Sequence, residues 1–538
     1  MTARPELQCS NNLTPHNSSI KADNPPESLS VGPAGLIRQY ITSILTAPVY
    51  DVAVETPLQP APRLSAELKN RILLKREDLQ PVYSFKIRGA YTKVARLSEE
   101  AKARGVIAAS AGNHAQGLAM AAQKMGIAAT IVMPVTTPEL KIHGVKARGG
   151  NVILYGDAFP EALAHAQKLA TTNGYTFVPP FDDPDVIAGQ GTVAVELLRQ
   201  HTGGIDAIFV PVGGGSLIAG VAVYVKYLSP LTRIIGVEPD DANCLQAALK
   251  AKERVVLTQV GLFAEGVAVS QIGKHNFDLC QHLVDEVVTV SADEICSAIK
   301  DIYDDTRSIT EPAGALAVAG LRKYVKRESV ENQVLVAINS GANVNFTRLR
   351  HVAERADLGE GHEAILAVTL PEQPGSLKAF CNALGKRQIT EFNYRFRPGK
   401  KAQVFLGVQT HPDLVPRECL MDDLQTSGFS TVELTDNDLA KLHIRHMIGG
   451  GGDGLAGEHV FSIEFPDRPG ALKSFVEILP EGQIITLFHY RNHGADAGRV
   501  LLGLQAFEED ASELHQLFKE QGYTYSEETN NPAYRLFL

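Results

Sequence analysis

From about residue 31 to 345, short apolar runs alternate with longer amphipathic stretches. The runs Arg71–Lys75, Val106–Ala109, Ala129–Met133, Val152–Tyr155, Ile208–Val212, Ile234–Val237 and Val334–Ile338 are mostly apolar, β-rich and too short for helices. They predict buried strands. Ala/Leu-rich stretches such as His114–Lys124, Pro160–Ala170 and Val193–Gln200 predict helices between several of them. This alternation implies a parallel sheet with helices on both faces, joined by right-handed crossovers. Such sheets place ligands at the carboxyl ends of their strands.

Residues 346–363 read as a short charged helix and a polar linker, after which an internal repeat begins. Ala364-Ile-Leu-Ala-Val-Thr-Leu-Pro-Glu-Gln-Pro-Gly-Ser-Leu377 echoes His459-Val-Phe-Ser-Ile-Glu-Phe-Pro-Asp-Arg-Pro-Gly-Ala-Leu472. The offset is 95 residues at Pro374/Pro469 and 96 at Ile389/Ile485, where Ile-Thr-Glu-Phe-Asn-Tyr-Arg395 matches Ile-Thr-Leu-Phe-His-Tyr-Arg491. Strand, Pro-Gly turn, helix, strand, strand reads as a ferredoxin-like βαββαβ unit. The expected division is a disordered tail (1–30), a catalytic domain (31–345), a linker (346–363), a first unit (364–436), a second linker (437–458) with a Gly449–Gly452 joint, and a second unit (459–530).

Composition narrows the function classes. A length of 538 residues, 44 % hydrophobic and 21 % charged, suits several ordinary globular domains. A net charge of −10 disfavours nucleic acid or an anionic membrane as partner. No apolar stretch is long enough to span a bilayer, and the polar first thirty residues lack a secretory h-region. Six scattered cysteines form no CxxC pair and sixteen histidines form no HExxH, so free thiols in a reducing cytoplasm and no metal site are expected.

Four segments carry candidate chemistry. In Lys75-Arg-Glu-Asp-Leu-Gln-Pro-Val-Tyr-Ser-Phe-Lys86-Ile-Arg-Gly-Ala-Tyr91, Lys86 sits between an aromatic and an isoleucine. A lysine so dehydrated stays partly neutral and can hold an aldehyde cofactor as a Schiff base. For an isolated lysine the ordinary reading is a packed stem with a hydrated head. Ser110-Ala-Gly-Asn-His-Ala-Gln-Gly117 follows a strand and opens a helix, so Ser110, Asn113 and nearby N–H groups can accept a substrate carboxylate. Asn113 can also donate to a phenolic oxygen; the plainer reading is a helix cap. Pro211-Val-Gly-Gly-Gly-Ser-Leu-Ile-Ala-Gly220 is neither a G-x-G-x-x-G fingerprint nor a P-loop. After a buried strand, its glycines and the helix N-terminus suit a phosphate. Asn339-Ser-Gly-Ala-Asn343 follows another strand and turns Ser340 toward the same crevice; alone it reads as a turn with a capping serine.

Together these segments resemble the fold-type-II pyridoxal-phosphate (PLP) enzymes, specifically the threonine dehydratase (threonine deaminase) group, over residues 40 to 345. The repeat resembles two ACT regulatory domains, the arrangement of the biosynthetic, isoleucine-inhibited members. The resemblance implies an α/β catalytic domain of tryptophan-synthase-β type followed by two ferredoxin-like units. It implies Lys86 as Schiff-base lysine and Cα base, and Asn113 on the phenolic oxygen. Gly213, Gly214, Gly215, Ser216 and Leu217 form the phosphate cup, and Ser340 faces the pyridine nitrogen. A serine there leaves the ring a weaker electron sink, suited to losing a β-substituent. Related serine racemases carry a second serine where this chain has Ala111, so racemisation is disfavoured. The implied activity is a cytoplasmic lyase converting L-threonine, and L-serine more slowly, to 2-oxo acid and ammonia toward isoleucine. Isoleucine inhibits and valine relieves it, Tyr394 and Tyr490 line the effector sites, and the assembly is a homotetramer. The alternatives are an amino-acid sensor with a dead enzyme fold, a serine-preferring dehydratase, or a β-replacement enzyme, against which Ser84-Phe-Lys-Ile-Arg-Gly89 argues.

Overall fold

The computed structural model describes residues 33–346, 348–359, 363–371, 376–385, 387, 389–394, 402–410, 417–445, 457–466, 478–479, 485–491, 497–505 and 508–537. The expected tail at 1–30, the Gly449–Gly452 joint and the repeated Pro-Gly turns lie outside them.

Residues 58–339 supply ten strands: β1 (Leu58–Pro60), β2 (Arg71–Arg76), β3 (Val106–Ala109), β4 (Ala129–Met133), β5 (Asn151–Leu154), β6 (Thr176–Phe177), β7 (Ala207–Pro211), β8 (Arg233–Pro239), β9 (Glu286–Val290) and β10 (Val334–Asn339). They build two sheets where the alternating pattern suggested one. The larger runs β1-β2-β10-β7-β8-β9 and the smaller β5-β4-β3-β6. All pairs are parallel except the β1 edge, which is antiparallel to β2. Helices cover the larger sheet on both faces, and its two cores are dominated by Val, Ile, Leu and Ala. Register is strict because both faces are buried: Asn339 lies opposite Arg76, and Ala337 lies between Leu74 and Phe209. The strands therefore end level, and the loops leaving β2, β7 and β10 emerge side by side.

One helix begins well before its predicted start. It spans Pro184–Gln200, with Asp183 as N-cap accepting from Asp185 N and Val186 N and proline at its first position. Gly189 and Gly191 obscure it in sequence. Both are there for close approach: a Cβ on Gly189 would sit 2.5 Å from Arg88 O, and one on Gly191 would sit 3.1 Å from Gly220 O.

The remainder of the chain follows the repeat. Strands β11 (Glu363–Leu370), β12 (Ile389–Tyr394), β13 (Ala402–Gln409) and β14 (Ser430–Glu433) pair antiparallel in the order β12-β13-β11-β14. Strands β15 (Glu458–Pro466), β16 (Ile485–Arg491), β17 (Ala497–Gln505) and β18 (Tyr525–Glu527) repeat that order. Both copies shift register at the same place, between Ile389 and Glu391 and between Ile485 and Leu487. The faces of the two sheets share one apolar cluster containing Ile365, Phe405, Val460, Leu501 and Phe537. The linker is largely the helix Arg348–Gly359, which packs on the catalytic helix Ala292–Thr306. No helix among the described residues is long and apolar enough to cross a membrane.

Candidate active site

The four motif segments all follow the carboxyl ends of strands, three from the larger sheet and one from the smaller. The segment after β2 bridges onto the one after β10: Ser84 pairs with Gly341, and Phe85 N donates to Ser340 O at 3.2 Å. Lys86 opens the helix Lys86–Ala95 with its residue half-buried. Its Nζ donates to Pro180 O at 2.8 Å. Burial pushes the ammonium down to about 8, with the Glu311 carboxylate opposing the shift. A lysine in that range has a usable neutral fraction near physiological pH, as a nucleophile or base requires.

The segment carrying Pro180 also touches the glycine run. The Phe181 ring lies against Gly214, where any Cβ would overlap it. Asn276 Nδ2 donates to Gly214 O at 2.6 Å and to Phe181 O at 3.2 Å. A Cβ on Gly213 would meet Val267 Cα at 2.8 Å, and Gly215 has φ +96, the left-handed region. The run ends at the N-terminus of the helix Ser216–Leu228, whose N-cap, Gly215, offers no side-chain acceptor to the first N–H groups. Ser216 and Leu217 are buried on its first turn.

Asn113 begins the helix Asn113–Met125. Its Nδ2 donates to Glu311 Oε1 at 2.6 Å, and its Oδ1 accepts from Asn343 Nδ2 at 2.6 Å. Its neighbour His114 is buried. Burial and the Lys86 ammonium push that imidazole down to about 4, so it stays neutral. Its Nε2 lies 2.9 Å from Val178 O. A carbonyl only accepts, so Nε2 carries the proton. Ser110 is half-buried, and its Oγ accepts from Gly112 N at 3.2 Å. Ser340 is buried, its Oγ only 3.4 Å from Ala313 O, a long bond that leaves the hydroxyl free to turn. Tyr394 closes β12 and Tyr490 lies within β16; their side chains lie outside the described residues.

Lys86, Asn113, Ser340 and the 213–217 loop are thus brought together by contacts among the strand-end segments of the two sheets, and the space they border is the candidate cleft. Sequence reasoning missed two of its residues. Glu311, 7 % exposed, is pushed up to about 7 by burial. Asn343 bonds Asn113, Val82 O and, at 3.3 Å, Gln116 Nε2. The cleft fits pyridoxal phosphate. It has a primary amine with a lowered pKa, a helix N-terminus floored by glycine for a phosphate, and an amide donor on Asn113. Ser84 Oγ and Asn339 Nδ2, beside the motif residues, are buried without a hydrogen-bond partner among the described residues.

Comparison with known proteins agrees. The pyridoxal-phosphate dependent enzyme family matches residues 49–341, and the C-terminal regulatory domain of threonine dehydratase matches 354–444 and 450–538. The biosynthetic L-threonine dehydratase of Burkholderia multivorans is 53 % identical over 504 residues, 93 % of this chain and 99 % of that protein. The Escherichia coli protein of the same name is 50 % identical, covering 96 % and 99 %. Among solved structures, the processed threonine deaminase isoform 2 of Solanum lycopersicum aligns with TM-score 0.59 and 50 % identity, over 60 % of this chain and 93 % of that one. The T.th. threonine deaminase aligns at 0.54 and 36 %, over 57 % and 98 %. The chain belongs to the pyridoxal-phosphate-dependent biosynthetic threonine dehydratases.

Proposed function

We propose residue roles for this cleft on the premise that the chain, a biosynthetic threonine dehydratase, converts L-threonine to 2-oxobutanoate and ammonia on the route to isoleucine. When bound, pyridoxal phosphate supplies an electron sink that makes the Cα proton of the substrate removable. Lys86 is its covalent anchor, and its Nζ is the base that takes the Cα proton. The N–H groups of Gly213, Gly214, Gly215, Ser216 and Leu217 hold the phosphate. Asn113 donates to the phenolic oxygen, and Ser340 pairs with the pyridine nitrogen. Ser110 and Asn113, the latter through its backbone N–H, hold the substrate carboxylate with the other N–H groups of their turn. The β-hydroxyl leaves as water, its added proton balancing the one Lys86 takes from Cα, and hydrolysis of the released enamine by a second water gives 2-oxobutanoate and ammonia. The observation that carries this reading is Lys86 itself: a dehydrated amine held by a single backbone carbonyl, beside the segment that packs on the glycine loop.

L-Serine lacks only the γ-methyl, so it is the slower substrate, by roughly 10- to 200-fold. We infer further that isoleucine inhibits and valine relieves inhibition through the paired C-terminal units, with Tyr394 and Tyr490 at equivalent effector positions. We also infer that the enzyme works as a cytoplasmic homotetramer. The duplicated register shifts beside both tyrosines support that equivalence. The domain limits 31–345, 364–436 and 459–530 are proposed with these roles.

Purified Lys86→Ala is expected to fold yet lose deamination and the visible band of the bound cofactor. Borohydride reduction of the parent protein should leave the cofactor on the peptide containing Lys86. Near-parental turnover of the variant, or label on another lysine, would sink the assignment. A chain cut before residue 364 should keep turnover and lose the isoleucine response; retained inhibition would refute the regulatory reading.

A further inference from the structure

Glu311 stands at the N-cap of the helix Pro312–Glu328 but makes no side-chain bond to that helix. Its carboxylate instead lies in the cleft. It accepts from Asn113 Nδ2 at 2.6 Å, and from the backbone N–H of Asn343. The Asn343 side chain closes the ring by donating to Asn113 Oδ1 at 2.6 Å. Asn343 is itself pinned by Val82 O at 2.8 Å. There is no room for drift. A Cβ on Gly341 would sit 2.6 Å from Glu311 Oε1, and one on Gly266 would sit 3.5 Å from it.

Val82 O only accepts, which fixes Asn343 Nδ2 as the donor to Asn113 Oδ1, so the amide nitrogen of Asn113 faces Glu311 Oε1. One N–H of that amide is then used. Among the described residues the other meets no acceptor. Without Glu311 the amide could flip and present its oxygen to the cleft, repelling an electron-rich oxygen bound there. We propose that Glu311 is the positioning residue of this site: with Asn343 it locks the Asn113 amide nitrogen-inward, leaving one N–H for the cofactor's phenolic oxygen. The proposal rests on the cofactor reading above. It adds a residue 198 positions away in the chain that touches neither phosphate nor lysine in that reading.

The test titrates cofactor-free full-length protein with pyridoxal phosphate and records both the dissociation constant and the visible absorption maximum. Glu311→Ala and Asn113→Ala should each weaken binding about tenfold, as loss of one buried hydrogen bond implies, and should shift the maximum alike. The double variant should be no weaker than either single one. Glu311→Gln keeps an oxygen acceptor and should retain parental affinity within about threefold, with the parental maximum. Should Glu311→Ala not fold, Asn343→Ala releases the other side of the amide and must show the same non-additivity with Asn113→Ala. An unchanged maximum and affinity in Glu311→Ala would overturn the proposal. So would additive losses in the double variant, or a Gln variant as damaged as the Ala one. Failure of the parent protein to bind the cofactor would overturn the proposal together with the function it rests on.

Discussion

Replacing Glu196 by alanine tests whether a buried charge cluster underpins the lysine site. Glu196, Lys75, Arg88 and Glu77 are each 0 % exposed. Glu196 accepts from Lys75 Nζ and Arg88 Nη1, both at 2.6 Å, and from Tyr50 OH at 2.9 Å. Glu77 holds the other side of Arg88 with two bonds of 2.8 Å. Two cations are thus balanced by two anions, and the variant leaves two facing one. Arg88 keeps Glu77, whereas Lys75 keeps only Thr56 O at 2.6 Å and Gln200 Oε1 at 3.1 Å. Removing one partner of a buried pair costs about 3–5 kcal/mol. Burial already lowers the Lys75 pKa, so loss of its proton sets the upper limit on that cost. At 2–4 °C per kcal/mol for a domain of this class, the apparent midpoint should fall by about 6–20 °C. Arg88 lies two residues beyond Lys86 on the same helix, so the visible cofactor band should vanish in the same transition as the far-ultraviolet signal. Glu331→Ala, breaking the exposed Lys69–Glu331 pair, is the control and should leave the midpoint in place. A Glu196→Ala midpoint within about 2 °C of the parent would refute the reasoning.

Ser340→Ala removes one hydrogen bond, so turnover should fall about 2- to 13-fold with cofactor still bound; a total loss would show a larger role. Burial holds Lys86 at about 8 in the folded, cofactor-free protein against the ordinary 10.5. The unfolded chain then binds the extra proton between those values, so stability should rise with pH from 8 to 10.5. That rise should be missing from Lys86→Met when denaturation midpoints are compared across pH. Asp293, on the helix Ala292–Thr306, bonds both Arg355 of the linker helix and Lys441 between the regulatory sheets, the latter at 2.7 Å. Asp293→Ala leaves those two buried cations sharing the exposed Asp438. Basal turnover should persist while the half-inhibiting isoleucine concentration moves by about fivefold or more, the lower range of allosteric coupling; an unchanged inhibition curve would exclude this contact from the coupling.

The sheet was readable where strands are continuous runs of buried apolar residues, as in β3, β4, β7, β8 and β10. It was not readable where the segment is short or polar. Leu58–Pro60 is three residues ending in proline, Thr176–Phe177 is two, and Glu286–Val290 begins with a charge at the sheet edge. Alternation of strand and helix does not say which strands pair, so the split into two sheets could not be seen. The site was legible where glycine or serine closely follows a strand, and at Lys86 through the motif around it. Glu311 was not, because a glutamate before Pro-Ala-Gly looks like the start of a helix, and only the tertiary fold aims it away from that helix.

The split into two sheets matters for the chemistry because each sheet carries part of the cleft. Asn113 comes from the smaller sheet and finds Glu311 and Asn343 on the larger. Nearby, Lys141, on a helix that follows β4 of the smaller sheet, pairs with Glu265, and Glu265 also takes Arg348 Nη1 at 2.9 Å at the head of the linker helix. Arg348 is anchored a second time on Phe263 O at 2.8 Å. One carboxylate therefore ties the smaller sheet to the start of the helix that leads into the regulatory units. A shift of that helix that pulled Arg348 away would remove one of the two cations that hold Glu265 among the described residues. Because Glu265 and Lys141 also act electrostatically on Glu311, the same shift would change the field on the carboxylate that orients Asn113. A short run of charged contacts thus joins the start of the linker helix to the residue set around Asn113, beside the packing of that helix on Ala292–Thr306.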